Sequence, residues 1–279
     1  MQIDISASIV LYKTKEKYLE KIIQDFFDTD MHVCLLLIDN SPTDDLKILS
    51  AIDKRIEYIW LQENKGFGKA HNIAINKMLG KSKYHVILNP DIEFDKEVLP
   101  ALYTFMNQNP DVGNVIPKVY YKTGEVQPLC KLLPTPLTLF SRRFARYSFF
   151  TKKLNHRYEL ENFRYNAVME VPNMSGCFMF IRNTVLQQTG GFDERFFLYL
   201  EDVDLNRRIG RIAKTVVYPY VHIMHHFRKG SYQEPELLKH HIRSAIHYFN
   251  KWGWFLDWER AHINNKTIKR IKELNNSKK

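Results

Sequence analysis

Cysteine is scarce in this chain of 279 residues: there are three, an odd number, and no CxxC pair. That excludes a disulfide framework and the spacing of a cysteine-bound structural zinc site. Cys34 and Cys177 lie in apolar, strand-like runs, and the three are read as buried free thiols. No run approaches the roughly 18 uncharged apolar residues of a membrane span, and Asp4 stands where the apolar stretch of a secretory leader would begin. A cytosolic protein is expected. Zinc-finger spacing, an RNP signature and a convincing helix-turn-helix pattern are also missing, so nucleic acid is not an expected partner. No internal repeat is seen, and no linker cuts the chain cleanly.

What is present is enough apolar sequence, 44% of residues, for one large α/β domain or a domain with an appendage. The formal charge of +10 is uneven. Residues 131–165 carry eight Lys or Arg against two Glu, and residues 260–279 carry seven against one, so these two segments hold +12 and the remainder −2. A near-neutral body with two basic patches suits a membrane surface or a polyanionic partner.

Strand and helix patterns alternate through the first half. IDISASIVLY is followed by a helix over about Glu16–Phe27, with Leu19, Ile22, Ile23 and Phe26 on one face. His32–Asp39, Arg55–Gln62 and Tyr84–Pro90 are nearly continuous apolar runs, as buried parallel strands are, with helices expected over Thr43–Asp53 and Gly68–Leu79. This predicts a doubly wound βαβ array with ligands at the carboxyl ends of its strands. After Tyr121 the pattern changes. Lys131–Tyr165 mixes Pro134 and Pro136 with Phe140, Phe144, Phe149 and Phe150 among cations, and reads as a mobile or membrane-facing excursion, or an ordinary basic surface segment. Strands are expected again at Cys177–Arg182 and Thr215–Pro219, then a helix over Pro235–Trp252 and a basic tail.

Three strand ends carry polar residues that burial alone would not select. LLLIDNSPTDD offers Asp39, Asn40 and Ser41, either as contacts to a base or ribose hydroxyl or as a helix-capping turn. In ENKGFGKAHNIAI, Gly66 and Gly68 allow a close backbone approach to a ligand, with Asn64, His71 and Asn72 beside them. VILNPDIEF ends in Asn89 and Asp91, oxygen ligands suited to a hard cation bridging phosphates, or simply a turn. Near the end, HIMHHFRKGSY clusters His222, His225 and His226 before Arg228 and Lys229. It lacks the Cys partners of a zinc site and better fits one histidine completing a cation site ahead of a phosphate-contacting loop.

The densest acid cluster is in FFLYLEDVDLNRR, where Glu201, Asp202 and Asp204 follow an apolar run too greasy for an open loop. They should occupy a helix's first turn beside buried walls. The same residues would also serve as caps favoured by the helix dipole, and Asp204 with Arg208 is an ordinary i, i+4 pair.

In sequence order, IVLYK, LLLIDNSPTDD, ENKGFGKAHNIAI, LNPDIEF, VPNMSGCFMFIR, GGFDERFFLYLEDVDLNRR and MHHFRKGSY resemble family 2 inverting glycosyltransferases of bacterial surface polysaccharide assembly. KLLPTPLTLFSRRF and HYFNKWGWF look like that family's rhamnosyltransferase branch. The resemblance spans nearly the whole chain and implies a GT-A fold: a Rossmann-like nucleotide-binding half, residues 1–121, fused to an acceptor-binding half, residues 122–259, around one mostly parallel sheet. It implies a nucleotide-sugar pocket formed by Tyr12, Asp39, Asn40, Asn64, Gly66, Gly68, Asn72 and Asn89, with Arg228 at the diphosphate. LNPD stands where many relatives have DxD, so Asp91 keeps one acidic ligand and Asn89 replaces the other. His225, with His226 as fallback, would complete a site for a divalent cation, Mg2+ or Mn2+. Asp202 takes the general-base position, while Glu201, Ser175, Gly176, Arg142 and Arg143 face the acceptor. The implied partners are a nucleotide-sugar donor, best matched by dTDP-L-rhamnose, a lipid-linked saccharide at the inner face of the cytoplasmic membrane, and a second copy of the chain. A UDP-hexose or UDP-N-acetylhexosamine donor, and a noncatalytic sugar-nucleotide-binding scaffold, are the alternatives.

Overall fold

The structure, a computed structural model, describes residues 2–144, 148–226 and 235–276. Its first half follows the expected alternation. Strands β1 (Ile3–Leu11), β2 (Val33–Asp39), β3 (Ile56–Trp60) and β4 (Ser82–Leu88) lie parallel in the order β3-β2-β1-β4. Helix α1 (Leu19–Phe27) buries Leu19, Ile22, Ile23 and Phe26, the face that its spacing marks. Helix α2 (Phe67–Met78) covers the opposite face of the sheet, setting Ala70, Ala74 and Met78 against Leu36 and Ile38. The connection over Thr43–Asp53 differs from expectation: it is a 3-10 helix, Asp45–Ala51, that buries only Leu46 and Leu49. Two apolar anchors in this stretch do not complete the stripe of a longer amphipathic helix.

The sheet then continues without a break. After β5 (Ile92–Phe94) and α3 (Val98–Gln108), β6 (Val112–Tyr120), β10 (Phe178–Arg182) and β11 (Lys214–His225) extend it as β4-β10-β6-β11-β5. β10 runs antiparallel to both neighbours, and β6 and β11 are parallel. Pro117 makes β6 hard to read from sequence, since a proline gives no ladder donor. It is accommodated opposite Tyr218, where β11 shifts register between Tyr218 and His222 around Pro219.

Residues 131–165 are more than a surface excursion. β7 (Cys130–Lys131) pairs with β9 (Asn173–Met174), α4 (Pro136–Phe144) and α5 (Phe149–Tyr158) pack together, and Leu132, Leu133, Tyr158, Leu160, Phe163 and Tyr165 are buried. β8 (Met169–Glu170), α6 (Asn183–Thr189), α7 (Glu201–Ile209) and α8 (Pro235–Trp252) complete this half. Of the basic segment 260–279, expected as a tail, residues 260–276 belong to helix α9 (Trp258–Asn276), which buries Arg260, Thr267 and Ile271. Among the described residues no helix is long and apolar enough to cross a membrane.

One buried feature is polar. His85 on β4 receives both hydroxyls of its neighbouring strand: Ser6 Oγ lies 2.7 Å from Nδ1 and Ser8 Oγ 2.8 Å from Nε2. Ser8 also meets His71 Nδ1 of α2 at 2.7 Å, and Ser6 meets Ser82 Oγ at 2.7 Å. Burial holds His85 down to about 3 and His71 well below the usual range, so both rings are neutral.

Candidate active site

A wide cleft of about 1150 Å3 opens at the carboxyl ends of β1 and β4, lined among others by Tyr12, Asn40, Asn64, Gly66, Phe67, Asn89 and Asp91. The turn after Asn64 is held from both sides. Asn40 donates from Nδ2 to Gly66 O (3.1 Å) and accepts at Oδ1 from Lys65 N, while Asn64 Oδ1 accepts from Gly66 N. Gly66 sits at φ +82°, and a Cβ there would stand 2.3 Å from Phe197 O, so this position requires glycine.

Three residues expected in the cleft are not among those that line it, and each makes contacts within the fold. Asp39 is fully buried; Oδ1 accepts from Ser41 N and Oδ2 from the Tyr58 hydroxyl, each at 2.7 Å, fixing the strand-end turn. Gly68 lets α2 touch Phe192, whose Cβ would lie 2.9 Å from an added Cβ. Asn72 clamps Phe192 by its backbone, donating to O and accepting from N at 2.8 Å each. The polar spacing that suggested a ligand contact serves to brace the GGFDE turn. In their place the cleft gains cations that the sequence reading did not single out: Lys13, Lys15, Lys17 and Lys122. The density of lysines over residues 13–21 was the available signal.

At one corner of the cleft, Asp91 and His225 come together, with Asp91 Oδ1 3.4 Å from His225 Nε2. β5 pairs antiparallel with β11, placing Ile92 opposite His225, and His226 N donates to Asp91 O. Gln127 Oε1 lies 3.0 Å from His225 Nδ1. With that amide oxygen as acceptor, Nδ1 is the ring nitrogen that donates, and Nε2 is the one on the Asp91 side. A carboxylate beside an imidazole oriented from behind is a donor set that fits a divalent cation. His226 is turned to Glu93, Nε2 to Oε1 at 2.9 Å, which sets it apart from His225. Among the described residues no three His, Cys, Asp or Glu form a complete cage, so phosphate oxygens and water would fill the remaining positions, as hard cations commonly allow. Arg228, Lys229 and the Arg143 side chain lie outside what is described.

A second, smaller pocket of about 230 Å3 is lined by Lys131, Arg142, Tyr158, Ser175, Glu201 and Asp202, among others. Two successive non-glycine residues at positive φ, Tyr199 (70°) and Leu200 (66°), throw the chain into α7. Such backbone conformations cost about 1–3 kcal/mol each and persist where packing enforces them. Here the packing is Leu200, Phe196 and Val203 against Tyr248 and Phe249. The result drives the first-turn carboxylates inward. Asp202 Oδ2 accepts from Gly176 N at 2.9 Å and Oδ1 from Val203 N at 2.8 Å. Burial nevertheless raises its carboxyl above the usual range, outweighing those hydrogen bonds. Glu201 is 5% exposed, its Oε2 has no hydrogen-bond partner among the described residues, and burial followed by the Asp202 charge pushes it well up.

Two cations face these acids. Lys131 Nζ and the Arg142 guanidinium stand 6.0 and 5.1 Å from the Tyr158 ring centroid, and Arg142 also pairs with Glu159 at 2.7 Å. Burial lowers Lys131, with the nearby Arg142 adding to the effect. Asp204 has a separate job: it binds Arg208 Nε (2.8 Å), Lys251 and the Trp252 indole. Gly176 lies between a residue of each cavity. A Cβ there would lie 3.2 Å from Asp202 Cβ and 3.5 Å from Phe67 Cε1, in the wall of the wide cleft.

Comparison with known proteins gives a consistent result. Residues 6–190 match the family described as Glycosyl transferase family 2. The chain is 26% identical over 247 residues to N-acetylglucosaminyl-diphospho-decaprenol L-rhamnosyltransferase of Mycobacterium tuberculosis, covering 81% of this chain and 78% of that protein. It is 23% identical over 257 residues to Rhamnosyltransferase WbbL of Escherichia coli K12, covering 86% and 90%. Among solved structures, S. aureus TarS 1-349 superposes with a TM-score of 0.60 at 16% identity, over 96% of this chain and 71% of that one. GalNAc-T7 with UDP, GalNAc and Mn2+ gives 0.63 at 12%, over 91% and 50%. At these identities the structural likeness establishes a shared GT-A fold.

Proposed function

The chain belongs to glycosyl transferase family 2, and from that premise we propose that it is an inverting enzyme moving L-rhamnose from dTDP-L-rhamnose to a lipid-linked saccharide. Its setting is bacterial O-antigen or capsule assembly at the inner face of the cytoplasmic membrane. Two relatives named as rhamnosyltransferases support the sugar, and one of them is named for a diphospho-decaprenol acceptor.

The observation that carries this reading is Asp202 in the smaller pocket, bound by the amide of Gly176, whose Cα also faces Phe67 of the wide cleft. The wide cleft would hold the nucleotide-sugar and the smaller pocket the acceptor's sugar hydroxyl. Asp202 is positioned by two backbone amides and kept basic by burial, which suits it to take the hydroxyl proton as oxygen attacks the anomeric carbon. A single displacement from that side inverts the configuration. Glu201 would orient the acceptor, and Lys131 and Arg142 lie where an acceptor's diphosphate would need neutralising. Asp91 and His225 would hold a divalent cation, which supplies charge neutralisation for the departing nucleoside diphosphate. Lys13, Lys15, Lys17 and Lys122 add positive charge along the same wall.

The test is turnover with dTDP-, UDP- and GDP-sugars on a short-chain lipid diphosphate acceptor. Activity should be highest with dTDP-L-rhamnose. Asp202→Asn should lower transfer by about 10²–10⁴-fold while donor-induced thermal stabilisation persists. Full activity in Asp202→Asn would remove it as the base.

A further inference from the structure

The loop between α8 and α9, Gly253–Asp257, and the first residue of α9 present an unusual surface. Phe255, Leu256 and Trp258 are each more than 80% exposed. The loop is anchored at both ends. Gly253, at φ +99°, closes α8 by donating to Phe249 O, and the Trp254 ring packs on Phe249 with centroids 5.2 Å apart. At the other end Asp257 binds the buried Arg207 guanidinium through both oxygens at 2.7 Å and accepts from Arg260 N. Between these anchors the apolar side chains are held out into water by the fold.

Buried Arg260 ties this loop to a second segment. Its guanidinium donates to Trp254 O (3.1 Å) and to Pro134 O (3.3 Å), so the start of α4 abuts the loop. From there α4 exposes Leu137 by 53% and delivers Leu139 and Arg142 to the acceptor pocket. Residues 131–165 and 260–279, which together carry +12 in the sequence, each reach the exposed apolar loop at one point, through Pro134 O and Arg260.

We propose that the Gly253–Trp258 loop is a membrane wedge: Phe255, Leu256 and Trp258 enter the headgroup boundary of an anionic bilayer, with the two basic segments against its surface. Indole and phenyl side chains favour that boundary, and flanking cations favour anionic lipid. A second copy of the chain is a poorer occupant, since three side chains on a protruding loop fall far short of the ~800 Å2 per partner of a stable interface. Docked in this way, α4 leads directly from the bilayer to Asp202's pocket. The purpose of the wedge rests on the proposed lipid-linked acceptor; its physical basis does not.

The experiment uses the full chain without donor or acceptor, so failure of sugar transfer and failure of docking are separable. Vesicles of phosphatidylethanolamine and phosphatidylglycerol should co-sediment the protein. Lipids brominated near the headgroup should quench its tryptophan fluorescence. Phe255→Ser/Leu256→Ser/Trp258→Ser should weaken vesicle affinity by at least about tenfold with an unchanged melting temperature. Equal vesicle affinity in the triple variant, or absence of quenching in the parent chain, would overturn the proposal. So would parent dimers that the triple variant abolishes without any binding to vesicles. If the triple variant does not fold, the quenching measurement on the parent chain decides.

Discussion

The two cavities on either side of Gly176 are built by opposite means. The wide cleft is made from strand ends and a glycine turn, and its charges, the lysines of residues 13–17 and the Asp91–His225 corner, sit on an open wall. The small pocket is made from a strained helix start and folded-back segments, and it sets the buried Glu201 beside the half-buried Asp202 and Lys131. The difference follows from what each must do. Neutralising a diphosphate needs many cations within reach and tolerates solvent, whereas accepting a proton from a sugar hydroxyl needs a carboxylate made more basic by removing water. One side gathers charge, and the other makes a single charge reactive.

Several substitutions would break or sharpen that contrast. On the open side, Gln127→Leu leaves Asp91 and His225 in place and removes the acceptor behind Nδ1. The apparent Mn2+ affinity in the transfer assay should fall by about 10–100-fold, with little change at saturating metal. Equal affinity would show that the ring needs no support. Next comes Gly66→Ala, which places a Cβ against Phe197 O at a positive φ. Urea unfolding should show a loss of about 1–3 kcal/mol from backbone strain alone. Gly124→Ala, also at φ +82° but in open space, should lose less. The smallest effect is on the closed side. Glu201's carboxyl is raised in the folded chain, so as pH climbs the unfolded state releases this proton first. Stability therefore falls from the ordinary carboxyl value up to the raised one and stays lower above it. Glu201→Gln removes that loss. Its melting temperature should exceed the parent's by about 2–4 °C near pH 8 and match it near pH 4. An equal gap at both pH values would exclude charge burial as the cause.

The open side was far easier to read from sequence than the closed one. β2 is a continuous apolar run and β1 and β4 close on apolar runs, each followed by polar residues, and strand ends of such sheets are where ligands bind. Asp91 follows such a run and His225 stands in a histidine cluster, although Gln127, which lies against the histidine, gives no local signal. For Asn72 and Gly68 sequence cannot separate a brace from a ligand contact, because both demand the same small or amide side chains. On the closed side, Glu201 and Asp202 stood out by composition alone. Their placement depends on a backbone turn at Tyr199 and Leu200 that no propensity favours, and on segments far away in the chain, such as those of Lys131 and Ser175. Pro117 hid β6 because its tolerance depends on a bulge in another strand.

The serine–histidine network inside the sheet has a consequence for how the site is measured out along the chain. Apolar side chains on β1 and β4, such as Ile5, Ala7 and Ile9 beside Val86 and Leu88, would pack nearly as well if one strand slid by two residues and kept its facing. His85 would not. It sits opposite Ser6, spans Ser6 and Ser8 at once, and through them connects to Ser82 and His71. A slide of either strand would strand neutral ring nitrogens in a dry interior, where an unmade hydrogen bond is expensive. The network works as a ruler: it holds Leu88 opposite Ile9, and so sets how far Asn89 and Tyr12 each extend into the wide cleft.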